Sequence, residues 1–347
     1  MVGQSGGGCG SGRRSAARAA LLGLTVGCGG AGEAEPKDSA PAGDAGATAD
    51  GGAGADSGWA AEGDPATVAL HGACPLDRRW GGFVVDVGPR YSAVTGAVAD
   101  GVVPVTVLRP GPHEGDCQML LRENPSCDPP CAPDQACDFD GSCLPYPRNQ
   151  DLGPVSIRGL SGPVSMDPVP PGTTYFDSAV PHPAVEGDAL VQLDTAGGAY
   201  PAVRLHGVGP EPLVSDTLAW VVGEGDLPLR WAPPTGLGRS RVEARLMVDQ
   251  HGLSPYTLVC SFEDDGEAAV PAGLLRSLLG AGVSGFPSGT LRRRTDDQAA
   301  LPGGGCVDLS VSTTQLATVE VDGHTPCDSP DDCPPGQICN IPLETCQ

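Results

Sequence analysis

The sequence predicts an all-β protein built from two β-sandwich-like domains, two small disulfide-rich modules and a disordered N-terminal tether. Three observations carry this. Gly (52) and Pro (36) are far above average usage for 347 residues, which implies many turns with short strands between them. Apolar and polar residues alternate along several short runs, the period-2 pattern of a half-buried strand. Of the 14 cysteines, eight fall in two tight clusters, a spacing that staples segments too short to have a core.

Residues 1–28 have the three parts of a secretory signal: a cationic stretch with Arg13, Arg14 and Arg18, an apolar run over 19–26, and small residues ending in Gly27-Cys28. The apolar run is too short to span a bilayer. Leu24-Thr25-Val26-Gly27-Cys28 resembles a bacterial lipobox, with Thr25 where leucine is usual and Leu24 one place further out. The resemblance implies acylation of Cys28, hence an outer-membrane lipoprotein on the periplasmic or cell-surface side. Residues 29–66 are almost entirely Gly, Ala, Asp, Glu, Ser and Pro, with Trp59 their one large apolar side chain, so they read as a disordered tether.

Residues 67–122 read as a small β domain. Phe83 to Val87, Val94 to Val98 and Val103 to Leu108 are strand-like runs, and Asp100-Gly101 is a hairpin signal. Cys74 and Cys117 bracket the region and are expected to bond. Residues 123–150 hold Cys127, Cys131, Cys137 and Cys143, and residues 326–347 hold Cys327, Cys333, Cys339 and Cys346; both clusters contain the frame Cys-x-Pro-x-Gln-x-Cys, an internal repeat. Each allows three pairings, of which first-to-third and second-to-fourth is preferred: Cys127–Cys137, Cys131–Cys143, Cys327–Cys339 and Cys333–Cys346.

Residues 151–325 are expected to form a sandwich of about eight strands. Val242, Ala244, Leu246 and Val248 alternate with mainly charged residues, and Leu258, Cys260 and Phe262 repeat the pattern. Pro271 opens one short helix over Leu274 to Leu279 that Gly280 closes. Strands resume at 306–311 and 318–321. Cys260 is expected to bond Cys306; since Cys306 is out of phase with Val307, Leu309 and Val311, that bond needs a strand start or bulge.

The frame Cys260-x-Phe262-x-Asp264-Asp265-Gly266 leading to Pro271, together with Cys127-Asp128-Pro129-Pro130-Cys131 and Asp332-Cys333-Pro334-Pro335-Gly336-Gln337, resembles cysteine-rich surface lipoproteins of the myxobacterial type. The C-terminal cysteine motif is also similar to the cysteine-rich part of Dickkopf-type ligands. The resemblance implies a location and a style of fold, and no activity on any residue.

Charge and composition exclude several chemistries. A formal net charge of −23 disfavours nucleic acid, and it repels anionic headgroups, so membrane association is expected to come from the lipid on Cys28. Lys37, in the tether, is the sole lysine, which removes P-loop and Schiff-base chemistry. The one Gly-x-Ser-x-Gly match, at residues 3–7, lies in the signal. None of His71, His113, His182, His206, His251 and His324 has a second histidine at ligand spacing. Four clustered cysteines could hold zinc, but in an exported chain they read as disulfides.

Glu263, Asp264, Asp265 and Glu267 place four carboxylates around one turn, a candidate calcium site against the plainer reading of solvated charge. Asp138-x-Asp140-x-Ser142 begins like an EF-hand loop, but Gly141 comes two places early. Arg292-Arg293-Arg294 could grip an acidic glycan; with Asp296 and Asp297 beside them, they read instead as a solvated strand end. The expected function is a non-enzymatic surface lipoprotein, structural or binding a protein or glycan. The alternatives are a calcium-binding adhesion-type protein, or a secreted hydrolase whose pocket gathers one of His182, His206, His251 or His324 with a carboxylate and a hydroxyl.

Overall fold

The computed structural model describes residues 60–249 and 256–347; the expected signal, Cys28, residues 29–59 of the tether and His251 lie outside them. Strands dominate, with a single α-helix among the described residues, as the composition predicts. No helix there is long and apolar enough to cross a membrane. The first four strands are β1 (Arg79–Val87), β2 (Ser92–Val98), β3 (Leu108–Glu114) and β4 (Cys117–Arg122). The first cysteine module holds β5 (Gln135–Cys137) and β6 (Cys143–Pro145). Then come β7 (Val155–Arg158), β8 (Val164–Met166), β9 (Tyr175–Asp177), β10 (Leu190–Thr195) and β11 (Arg204–Val208). β12 (Ala219–Val222), β13 (Leu227–Arg230), β14 (Arg241–Met247), β15 (Tyr256–Glu263) and β16 (Glu267–Val270) lead to α1 (Ala272–Gly280). The long hairpin β17 (Ser288–Ala300) and β18 (Cys306–Val321) precedes the closing module with β19 (Cys339–Asn340) and β20 (Thr345–Cys346).

One large sheet runs in the order β3-β4-β15-β14-β17-β18-β1-β2-β9, with β12 also against β18. Its spine is the β17–β18 hairpin, paired from Ser288↔Thr318 to Ala300↔Cys306. On its other edge β18 takes β1 in parallel up to Thr313 and β12 in parallel from Thr318. The domain boundary expected between 67–122 and 151–325 is therefore absent: β1 and β2 flank β18, while β3 and β4 flank β15, all in one sheet. The pairing is between strands distant in sequence, so no local composition shift marks it.

Two cores lie on that sheet. In the first, Phe83, Val85, Val307, Leu309 and Val311 pack against a second sheet of order β11-β10-β7-β8, through residues such as Leu205, Leu193 and Ile157. In the second, Val242, Ala244, Leu246, Leu258 and Phe262 pack under the β13–β16 ribbon and the Leu274, Leu275 and Leu278 face of α1. The helix lies where the sequence places it: Pro271 precedes it as N-cap, and Gly280 is its last residue.

Three local expectations fail. Asp100-Gly101 joins no hairpin, because β2 pairs with β1 and β9 rather than with the segment that follows. The run from Val103 is not a strand: Pro104 cannot donate to a ladder, and Thr106 Oγ1 both accepts from the Val103 N–H (3.1 Å) and donates to its carbonyl (2.9 Å), closing a 3₁₀ turn. The two short strands expected at 306–311 and 318–321 are one continuous strand, since polar Ser312 to Gln315 still have a ladder partner in β17.

All twelve cysteines in the described residues are bonded. Within the modules the bonds run Cys127–Cys137, Cys131–Cys143, Cys327–Cys339 and Cys333–Cys346, the first-to-third and second-to-fourth order. The expected Cys74–Cys117 and Cys260–Cys306 pairs are exchanged for Cys74–Cys306 and Cys117–Cys260. The reason is strand order: Cys117 and Cys260 stand directly opposite on β4 and β15, with Cα atoms 3.9 Å apart. Cys306 begins β18 opposite Arg79, at the register shift before Gly81, and there meets the segment leading into β1.

The tether ends earlier than composition suggests. The Glu62 N–H donates to Gln192 Oε1 (3.1 Å), and its carboxylate approaches Arg158 (3.3 Å) and Arg204 (3.9 Å). Those two arginines, from β7 and β11, also grip Asp194 on β10 at 2.8 and 2.6 Å, so one carboxylate clips three neighbouring strands. Burial alone would raise the Asp194 carboxyl, but hydrogen bonds from Arg158, Arg204 and Gln192 outweigh it and hold the group below its ordinary 3.8.

Two predictions follow from these bonds. Peptide mapping of the unreduced protein should recover Cys74 linked to Cys306 and Cys117 linked to Cys260, and Cys117→Ser/Cys260→Ser should lower unfolding free energy by about 2–5 kcal/mol. Because Asp194 has a depressed folded pKa, its stabilisation is complete above 3.8 and disappears as pH falls through the lower folded value. Calorimetry should show the melting gap between wild type and Asp194→Asn at neutral pH shrinking steadily under acid.

Candidate functional site

Strand alternation divides the arginine run at 292–294 between the two faces of β17, a central strand. Arg293 points inward with Thr295 and Asp297; Arg292, Arg294 and Asp296 point outward. The solvated strand end expected from sequence is thus replaced by two separate polar sites, one structural and one open.

Inside, Arg293 (1% exposed) meets Asp264 (3% exposed), its Nε 2.7 Å from Oδ2 and an Nη 3.0 Å from Oδ1. The same carboxylate accepts from Trp231 Nε1 (2.8 Å) and Ser240 Oγ (2.6 Å). Arg293 also donates to the carbonyls of Pro212 and Ala232. Asp264 is therefore committed to the core and turned away from the three other carboxylates of its turn. Glu263 is exposed and pairs with Arg241, and it lines a shallow groove together with Asp265, Glu267, Glu114 and Asp116. The expected set of four does not converge as a unit. Among the described residues, the groups of three or more close ligand atoms are the module cysteines, which are spent in disulfides.

Outside, β4, β15, β14, β17, β18 and β1 floor a cleft of about 360 Å³, bordered by the segment at 73–79. Four arginines reach it, Arg79, Arg245, Arg292 and Arg294, with the carboxylates of Asp116, Glu243, Asp296 and Asp308. The pairings are uneven. Arg79 holds Asp308 (2.8 Å), and Arg294 holds both Glu243 (3.1 Å) and Asp296 (2.9 Å). Arg245 approaches Glu243 only to 3.8 Å, and Arg292 makes none of the ion pairs. The Nε groups of Arg245, Arg292 and Arg294 are buried without a hydrogen-bond partner. Burial lowers the Arg245 pKa against the opposing charge of Glu243, and the charges of Arg292, Arg294 and Arg79 add to the lowering. Burial raises Asp296, with Asp308 and Glu243 pushing the same way against Arg294.

The described histidines stand away from this cleft. His71 Nδ1 lies 2.7 Å from Asp297 Oδ1, and His324 Nε2 lies 2.8 Å from the Gly285 carbonyl. His182 Nδ1 is 3.0 Å from Ser92 Oγ, a hydroxyl that also accepts the Ala184 N–H (3.0 Å). His206 meets Asp297 through its backbone N–H (2.9 Å), and His113 sits on edge strand β3. Sequence reasoning found Arg292 and Arg294 but missed Arg79, Arg245 and Glu243. The alternation of Glu243 and Arg245 on one strand face was the available signal; which strands lie beside it was not.

Compared with known proteins, the chain matches no family model, and none of the curated proteins matches it. The fold and the cleft define its class: an all-β, disulfide-stapled protein with a charged cleft across its main sheet.

Removing one partner of the inner pair leaves the other charge buried, so Asp264→Ala should cost about 3–5 kcal/mol in urea unfolding. The loss should be the same in calcium and in chelator, because Asp264 serves Arg293.

Proposed function

We propose that the protein is a non-enzymatic, exported lipoprotein, anchored to the outer membrane through acylated Cys28, that acts as a binding module for a protein or glycan, with the arginine cleft as its recognition site. The cleft itself carries this reading. A chain with net charge −23 gathers four arginines on one sheet face and leaves two of them poorly paired, which costs stability unless a ligand completes them. The complete pairing of the described cysteines supports an oxidising compartment. Structural partners for His71, His182 and His324, away from the cleft, favour binding over hydrolysis.

Two measurements test the two halves of the proposal. Cys28→Ser should move the protein from the membrane fraction to the soluble fraction; unchanged partitioning removes the anchor. The soluble Cys28→Ser protein should be retained on washed cell envelopes, and adding Arg245→Gln/Arg292→Gln should cut retention at least ten-fold. Equal retention of both proteins would move recognition elsewhere.

A further inference from the structure

The geometry points to an acidic sugar, a uronate-type residue of a glycan, as the ligand of the cleft, with its carboxylate between Arg245 and Arg292 and its hydroxyls on the surrounding carboxylates; this rests on the cleft being the recognition site. The charge pattern selects the anion. Arg79 and Arg294 are already neutralised by Asp308, Glu243 and Asp296, so the cation left over lies at Arg292 and, in part, at Arg245. One carboxylate fits two guanidinium groups, which present planar donor pairs to it. A phosphate or sulfate dianion would bring a second negative charge among four carboxylates.

Those same carboxylates suit a polyhydroxylated ligand. Glu243, Asp296 and Asp308 have lone pairs beyond their arginine contacts, and Gln118, Ser261 and Ser310 add further hydrogen-bonding groups around the rim. Leu76, Val84, Leu120 and Val259 supply apolar wall for the C–H face of a sugar ring. The volume, about 360 Å³, sits at the small end of the roughly 300–1,000 Å³ of small-ligand pockets, the size of a short acidic glycan segment.

The arrangement of the strands makes the cleft rigid. Glu243 and Arg292 are register partners on β14 and β17, and Arg294 follows two residues on along β17, so the guanidinium positions are set by hydrogen-bonded backbone rather than by loops. A ligand carboxylate there would give Arg292 the ion pair it lacks and needs no new fold.

Calorimetry of the Cys28→Ser full chain with digalacturonate tests this directly, with the digalacturonate methyl ester, acetate, glycine and inorganic phosphate as comparison ligands. Saturable binding of digalacturonate is expected, at least ten-fold tighter than any of the four and at least ten-fold weakened in Arg292→Gln, whose melting temperature reports that it folds. Affinity should fall as salt rises. No saturation by 10 mM, an ester that binds as tightly as the acid, or acetate, glycine or phosphate matching digalacturonate would overturn the inference. So would undiminished binding by folded Arg292→Gln. If envelope retention still depends on Arg245 and Arg292 in that case, the cleft remains the recognition site and only the ligand class is wrong.

Discussion

Where residues 206–213 cross the inner face of the large sheet, β11 is laddered to β10 on one side only, and side chains of β17 and β18 bond the backbone of its free edge and of the chain that follows. Asp297 accepts the His206 N–H, and Thr295 Oγ1 both accepts from Val208 N (3.1 Å) and donates to its carbonyl (2.8 Å). Thr313 donates to the Glu211 carbonyl, Arg293 to that of Pro212, and Gln315 to that of Leu213. β11 is an edge strand of the second sheet, and this row of side chains closes its edge. Gly207 permits the approach, since a Cβ there would sit 2.5 Å from the Val311 side chain. The row also divides the two cores: apolar residues lie to either side of it, and the fold depends on every buried polar group along it being satisfied.

The same strand produces the other consequence of alternation. Each inward residue of that row on β17 alternates with an outward one in the cleft, so Arg292, Arg294 and Asp296 inherit positions fixed by Arg293, Thr295 and Asp297. A site on the broad face of a hydrogen-bonded sheet is held more rigidly than one on loops, and the charges it gathers are correspondingly expensive to leave unpaired. The buried Arg293–Asp264 pair and the open cleft thus share one strand and use opposite faces of it.

Disulfides play two roles here. In the modules they replace a core: Cys327, Cys339 and Cys346 are themselves the buried cluster of the last module. In the body they tie strands that the sheet already holds. Cys117–Cys260 joins register partners on β4 and β15, and Cys74–Cys306 fastens the entry to β1 beside β18, so both reinforce contacts between segments more than 140 residues apart in sequence.

Local signals settled much of this protein in advance. Period-2 alternation gave strands at 83–87, 94–98, 241–247 and 256–263, and Pro271 with Gly280 bounded the helix, because each depends only on near neighbours. The four module bonds follow the order preferred among the three pairings that four cysteines allow in each cluster. The tertiary structure alone decided which strands became neighbours: it merged two expected domains into one sheet, exchanged the partners of Cys74 and Cys260, and turned Asp264 from a solvated acid into the counter-ion of Arg293. The cleft has the same origin. Arg79, Arg245, Arg292 and Arg294 lie on three strands that meet only after folding, because side-chain direction is fixed by alternation along a strand while strand order is fixed by the packing of the whole chain.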